Sequence, residues 1–282
     1  DLPMLPDVAA LLARLRAGVR DVVFVQHPAL DLLTGQLREA ELVSLLSYPA
    51  RLWLAVNLPP GLPVALGAPS GGYMLVPLVS DGLVTSRNLT KRMFDLALAA
   101  WLLVMLAPVL AGIALLVRAS GPGVLFRQER IGAQGRRFMV LKFRTMTNRP
   151  GDGFTQAVPG DLRVTRIGRV LRRSSLDELP QLWNVLRGEM SLVGPRPHAP
   201  ETMVEGVGFE QAVRLYRLRH RVRPGMTGLA QIRGQRGETR ELRALEQRVA
   251  SDLEYIRSWS LWLDLSILVS TLPQLWRAQN AH

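Results

Sequence analysis

Asp177 and Glu178 stand side by side in Ser175-Leu-Asp-Glu178, with Arg169, Arg172 and Arg173 just upstream and Arg196 downstream. Adjacent carboxylates among guanidinium groups suit chemistry on a phosphate. An aspartate in the first turn of a helix faces the positive end of the peptide dipoles, which lowers its pKa and favours a phosphate bound beside it. Ionised, Asp177 can serve as nucleophile, as metal ligand, or as each in turn. A carboxylate that attacks phosphorus gives an acyl phosphate, so catalysis divides into two displacements, each needing the phosphoryl oxygens neutralised. Arginine and magnesium are the usual suppliers. The bland reading of the same tetrapeptide is a capping box, with Ser175 capping the first turn and Glu178 reaching back to the cap amide. Pro180 is compatible with a helix start, because early helix amides have no intrahelical acceptor.

Three elements offer the cations. In Lys142-Phe-Arg144 the two basic residues share one face if Phe138 to Arg144 is a strand. Arg169, Arg172 and Arg173 form a second group. In Gly194-Pro-Arg-Pro197 two prolines stiffen the chain around Arg196, limiting the entropy lost when its guanidinium grips a phosphate. The plain alternatives are a solvated basic face for the first two and an ordinary turn for the third.

The elements that must hold these residues begin with Leu96 to Val117, twenty-two residues without a formal charge. As a straight helix this run measures about 33 Å, enough to cross a bilayer. Pro108 interrupts it, and both flanks are basic: Lys91 and Arg92 before, Arg118, Arg127 and Arg130 after. Positive charge on both sides fits a single span poorly and fits a broken helix that dips into the membrane and returns to the same face. A buried core helix is the remaining reading. Near the C-terminus, Asp252 to Trp276 sets Trp259, Trp262 and Trp276 among apolar residues, as a membrane-interface helix or one packed on the core. Gln211 to Arg223 reads as a basic helix, with Tyr216 and five arginines, able to lie on anionic lipid.

The first 80 or so residues alternate helical patterns (Val8–Leu15, Leu37–Leu46) with strand-like ones (Asp21–Val25, Arg51–Val56), a small α/β module. No G-x-G-x-x-G follows either strand, so dinucleotide binding has no support there. Turn-rich punctuation at Pro59-Pro-Gly61 and Ala68 to Gly72 leads to a linker ending near Ser86, and a second domain begins near Asn88. Asp1 is not an initiator methionine and Leu2 to Ala17 lacks the features of a signal peptide, so a trimmed or processed chain is expected.

Composition narrows the classes. The chain of 282 residues is 48% hydrophobic and carries a formal charge of +12, which excludes a disordered chain and calls for an anionic partner. The charge is concentrated: Arg118 to Arg173 holds thirteen Lys or Arg against Glu129, Asp152 and Asp161. Nucleic acid, anionic lipid and a diphosphate substrate would each satisfy it. The absence of cysteine removes disulfides, thiolate zinc sites and cysteine nucleophiles, and four scattered histidines suggest no metal cluster.

Taken together, Lys91-Arg-Met-Phe-Asp95, the apolar run with its proline, Gln128-Glu-Arg-Ile-Gly132, Lys142-Phe-Arg-Thr-Met146, Arg163-Val-Thr-Arg-Ile-Gly168, Leu176 to Val185, Met190 to Pro197 and Arg223 to Gln231 resemble the bacterial sugar transferase family, the monotopic polyprenol-phosphate phosphoglycosyl transferases. The resemblance covers roughly residues 88 to 276. It implies transfer of a sugar 1-phosphate, expected to be a hexose, from a UDP-sugar to undecaprenyl phosphate, with release of UMP and with Mg2+. It implies Asp177 as nucleophile and metal ligand with Glu178 as its partner. Lys142, Arg144, Arg172, Arg196 and Gln231 are then substrate contacts, with Asp161 a weaker one. The implied architecture is α/β: a small Rossmann-like module over 1–86, regulatory or oligomerising, then a mainly helical, membrane-associated catalytic domain over 88–282 with a re-entrant helix near 93–118. The implied setting is the bacterial inner membrane, with the catalytic domain on the cytoplasmic face and a homodimer as the assembly. The role would be the first step of exopolysaccharide, capsule or O-antigen synthesis, with membrane lipid as a partner and no nucleic acid. The break that is often Ser-Pro in the family is Ala107-Pro108 here. The competing class is a non-enzymatic basic protein that binds membrane or nucleic acid.

Overall fold

The computed structural model describes residues 23–26, 52–57, 73–77, 85–147, 161–213, 215–235, 237 and 241–277. Near the N-terminus lie three strands, β1 (Val23–Gln26), β2 (Leu52–Asn57) and β3 (Tyr73–Pro77), in that order in one sheet. β1 and β2 run parallel, as two expected strands of an α/β module would, but β3 is antiparallel to β2, which the sequence pattern does not predict. The described strands therefore form a mixed sheet, and the expected helices Val8–Leu15 and Leu37–Leu46 lie outside the described residues.

The rest is a mixture of helix and sheet in which helix predominates, with short strands among the helices. Helix α1 (Thr85–Ala119) carries the apolar run, and from Leu89 to Ala119 it is long and apolar enough to cross a membrane. It is continuous through Pro108. One face packs through Ala99, Ile113 and Val117, while Trp101, Val104, Met105, Val109, Leu115 and Leu116 are exposed. Both ends are fastened. At the start, the Lys91 ammonium bridges Asp95 (2.9 Å) and Asp264 (2.8 Å), and Asp95 accepts from the Ser191 hydroxyl (2.7 Å) and the Leu192 amide. At the far end, the Val117 carbonyl and Ser120 hydroxyl accept from Arg144 (2.9 and 3.0 Å). The basic flank Lys91-Arg92 is thus spent inside the protein rather than on lipid headgroups.

A seven-residue antiparallel hairpin comes next, β4 (Leu125–Ile131) with β5 (Arg137–Phe143), bringing Lys142 to the middle of the molecule. Helix α2 (Arg166–Ser174) starts where the Thr165 hydroxyl accepts from the Gly168 amide, and it presses close on the residues after β5. A Cβ built on Gly168 would stand 2.1 Å from the Thr145 carbonyl oxygen, so only glycine permits the approach. A one-turn 3-10 helix (Leu176–Glu178) leads into α3 (Gln181–Arg187) and the strand β6 (Ser191–Val193). After a two-residue hairpin, β7 (Met203–Val204) with β8 (Val207–Gly208), come α4 (Phe209–Ala212) and a second 3-10 segment, Tyr216–Arg221. β9 (Gly225–Thr227) pairs parallel with β6 and is followed by α5 (Leu229–Ile232). Helices α6 (Leu242–Ser258) and α7 (Leu261–Arg277) complete the described chain.

The core joins Leu182, Val185, Met190, Leu192 and Val193 to Leu245, Val249, Tyr255 and Ile256. Two expectations are corrected here. The segment Gln211 to Arg223 is not one lipid-facing basic helix: it holds the end of α4 and a separate 3-10 segment, and Tyr216, Arg219 and Arg221 are buried. The C-terminal region is two helices, with Trp259 buried at their junction and Trp262 exposed, so these two tryptophans divide between core and surface.

Candidate active site

Asp177 and Glu178 lie on the 3-10 turn between α2 and α3. The capping-box expectation fails there. Ser175 closes the end of α2 with its amide on the Arg172 carbonyl and takes a left-handed backbone (φ 56°), whereas a capping serine is extended. Its side chain caps nothing, and Glu178 turns away from the backbone toward cations. Glu178 accepts from the Lys142 ammonium at 2.8 Å and from both ends of the Arg196 guanidinium at 3.2 and 2.6 Å. This two-pronged grip fixes Arg196 in orientation as well as distance.

The two carboxylates are thereby set to opposite tasks. Burial alone would raise Glu178, yet Arg196 and Lys142 hold it well below the usual carboxylate range. Asp177 is 9% exposed, and no hydrogen bond reaches its carboxylate among the described residues. Burial and the neighbouring Glu178 charge push it up to about 6, against the pull of Lys142, Arg172 and Arg196. The expected lowering by a helix start does not occur, since α3 begins only at Gln181 and desolvation outweighs one 3-10 turn. Glu178 is the spent charge, and Asp177 the available one.

The other sequence candidates separate. Arg172 stands over the site with Nε on the Thr145 hydroxyl (3.0 Å) and its charge felt at Asp177. Arg144 does not share a face with Lys142: β5 ends at Phe143, and the Arg144 guanidinium goes to the Gly123, Val117 and Met146 carbonyls and the Ser120 hydroxyl, capping α1. Gln231 is buried on α5, its Nε2 donating to the Met226 carbonyl of β9 rather than to either carboxylate. Asp161 is engaged by Arg163 (2.7 Å), which lowers it to about 2.

Two residues that sequence reasoning passed over belong here. Arg130, on β4, is pulled down to about 10 by burial and the Arg196 charge, with Glu178 opposing, and its guanidinium donates to the neutral Gln128 (2.6 Å). Its place in Gln128-Glu-Arg130, alternating along a strand, was the available signal. Arg219 donates to Asp252 (2.7 Å) and to the Arg196 carbonyl (2.9 Å), holding the Pro-Arg-Pro turn from behind.

Two groups could be weighed as a metal centre. The ligand atoms of His198, Glu210 and His220 lie within 4.8 Å of one another. Yet Arg217 occupies Glu210 at 3.0 Å, and burial together with Arg219 lowers His198 to about 2 and His220 to about 3, an environment hostile to a dication. Asp177 suits magnesium better: a hard oxygen donor with no hydrogen-bond partner, able to share the ion with substrate phosphates as Mg2+ prefers.

An apolar helix long enough to cross a membrane, and a buried Asp177 carboxylate with no hydrogen-bond partner among the described residues beside fixed cations, suit a membrane-associated protein that acts on phosphate. The chain belongs to the bacterial sugar transferase family, whose pattern it matches over residues 86–278. It is 49% identical over 197 residues to a UDP-glucose:undecaprenyl-phosphate glucose-1-phosphate transferase of Caulobacter vibrioides, a match covering 69% of this chain and 73% of the relative. A protein of the same name from Escherichia coli K12 is 49% identical over 71% of this chain, but that match spans only 43% of the relative. An exopolysaccharide production protein of Rhizobium leguminosarum is 46% identical over 64% of this chain and 92% of its own length.

Proposed function

We propose that the chain transfers glucose 1-phosphate from UDP-glucose to undecaprenyl phosphate, releasing UMP, as the opening step of exopolysaccharide, capsule or O-antigen synthesis. The sugar is taken from the names of its relatives. The observation that carries the reaction is the unpaired Asp177 carboxylate beside cations that Glu178 holds in place. A carboxylate oxygen of Asp177 attacks the sugar-linked phosphorus; the new P–O bond forms as the bond to the bridging oxygen breaks, and UMP departs with that oxygen. The phosphate oxygen of the lipid then attacks the same phosphorus, the acyl-phosphate bond breaks, and Asp177 is recovered as carboxylate. Lys142, Arg172 and Arg196 supply positive charge where the phosphoryl oxygens gather it. Arg144 and Gln231 serve this site through the frame around it. Bound magnesium, held by Asp177, would supply further neutralisation of the diphosphate.

Helix α1 bears on the setting. Its two ends grip the same folded body, through Asp264 and Ser191 at one end and Arg144 at the other. A helix crossing a bilayer has its ends on opposite faces, so this attachment supports a segment that enters and leaves on one side, the cytoplasmic face of the inner membrane. The N-terminal module, residues 1–86, is assigned regulation or homodimer formation. The test is UMP release in detergent with undecaprenyl phosphate, Mg2+ and a panel of UDP-sugars. Release that selects UDP-glucose and is abolished in Asp177→Asn supports the reading; no release from any sugar by folded protein overturns it.

A further inference from the structure

Asn184 lies on α3, fully buried, and its carboxamide reaches across to the hairpin. Its Oδ1 accepts from the Leu141 amide at 3.0 Å and its Nδ2 donates to the Met139 carbonyl at 2.8 Å. Met139 and Leu141 are alternate residues of β5, so these two groups point to the same edge, the one not paired with β4. The side chain thus stands where the peptide group of a third strand would stand. The second Nδ2 proton goes to Glu189 (2.6 Å), while the Glu189 amide returns to the Asn184 carbonyl (3.1 Å), so the carboxamide is held in one orientation. Threonine, of similar size, has a single oxygen for both roles, whereas the asparagine carboxamide sets a donor and an acceptor on separate atoms, as this edge requires.

What this clamp joins is the site itself. Lys142 succeeds Leu141 on β5, and Glu178 lies on the turn that opens into α3. The Lys142 to Glu178 contact spans the same gap between strand and helix that Asn184 bridges from within. We infer that Asn184 is a positioning residue for the transfer: by serving as a substitute strand on β5, it sets the separation of Lys142 from Glu178 and, through Glu178, the aim of Arg196 at the phosphate beside Asp177. This rests on the phosphosugar-transfer reading above. A longer or shorter arm, or one with only one hydrogen-bonding sense, shifts the strand against the helix, and displacements near 1 Å cost about a hundredfold in such sites.

The test compares steady-state UMP release, per folded molecule in detergent, for the native chain, Asn184→Ala, and Asn184→Asp combined with Glu189→Gln. In the double variant the new carboxylate still accepts from Leu141 and from the glutamine, so chiefly the Met139 contact is lost. Val185→Ala, a cavity on the same short helix at a fully buried position without side-chain hydrogen bonds, controls for stability. The expected result is a kcat about a hundredfold lower for Asn184→Ala and about tenfold lower for the double variant, with KM for UDP-glucose within about threefold of native. Val185→Ala, though its melting midpoint falls, keeps kcat within about threefold. If Asn184→Ala does not fold, the double variant decides alone. An active native chain whose Asn184 variants keep kcat, or lose it only as Val185→Ala does, overturns the inference and leaves the proposed function standing. A silent native chain overturns both.

Discussion

The division of labour between Asp177 and Glu178 makes the site's pH behaviour predictable. In the proposed reaction Asp177 must be ionised to attack, and burial and the Glu178 charge push it up to about 6. The rate of UMP release should therefore fall as pH drops through about 6, because the protonated carboxyl is no nucleophile. Glu178→Gln removes the negative charge that raises Asp177 and frees Lys142 and Arg196 from their partner. Its acid limb should move to lower pH even as kcat falls, since the two cations lose their fixed aim. The check is a pH–rate profile of both proteins at saturating UDP-glucose; an unmoved limb in Glu178→Gln would show that Glu178 does not set the Asp177 charge. That Asp177 and Glu178 stand together among cations was legible in the sequence. Their opposite fates were not, because burial and the partners of Glu178 come from β5 and from the Pro-Arg-Pro turn, distant in the chain.

At the level of elements, short pieces are held by close contacts rather than by propensity. Gly168 lets α2 approach the Thr145 carbonyl, and the same helix carries Arg172 to the Thr145 hydroxyl. Gly168→Ala should push the two apart, with a loss of roughly 1–3 kcal/mol in stability and a lower kcat, read by urea unfolding and UMP release together. A second element contact is acid-sensitive. His198 and His220 pack against each other and Tyr216 and stay neutral down to about 2 and 3, whereas their ordinary value is 6.5. Between those limits the unfolded chain binds more protons, so each histidine removes up to about 1.4 kcal/mol of stability per unit fall in pH below 6.5. Asp177 acts in the opposite sense between about 6 and 3.8, returning part of one such contribution. The melting midpoint should drop from pH 7.5 to 5.5, and His220→Gln should flatten that slope. Helix α1, β1 and β2 were visible as patterns because each is a run of uniform character. The hairpin of β4 and β5 was visible only at its second strand. The antiparallel β3 was missed, since the turn residues at 68–72 mark a boundary without specifying the element beyond it. The basic stretch Gln211 to Arg223 misled because Arg219 and Arg221 are buried, and Arg219 is held by Asp252 and the Arg196 carbonyl, partners that the local sequence does not show.

For the molecule as a whole, the question is how a helix long enough to cross a bilayer is held at both ends by one body. Arg92 donates to the Val185 and Leu186 carbonyls at the end of α3, and Arg144 closes the other end on Val117. If α1 spanned the membrane, one of these sets would have to sit across the bilayer from the carboxylates, with Lys91 deprived of Asp264 and Asp95 of Ser191, or Arg144 of Val117. Losing one member of a buried pair costs about 3–5 kcal/mol, too much for both ends to be rearranged lightly. Exposed apolar side chains line both α1 and α7, the latter through Trp262, Leu265, Val269 and Leu272, and in the proposed setting these would meet lipid. The chain has no cysteine, so single cysteines can be introduced without background. Cysteines replacing Leu89 and Ala119, at opposite ends of the apolar stretch, should both react with a membrane-impermeant maleimide in inside-out vesicles and both be protected in right-side-out ones. Reaction of the two ends from opposite sides would establish a spanning helix and would require the domain's grip on one end of α1 to be broken in the membrane.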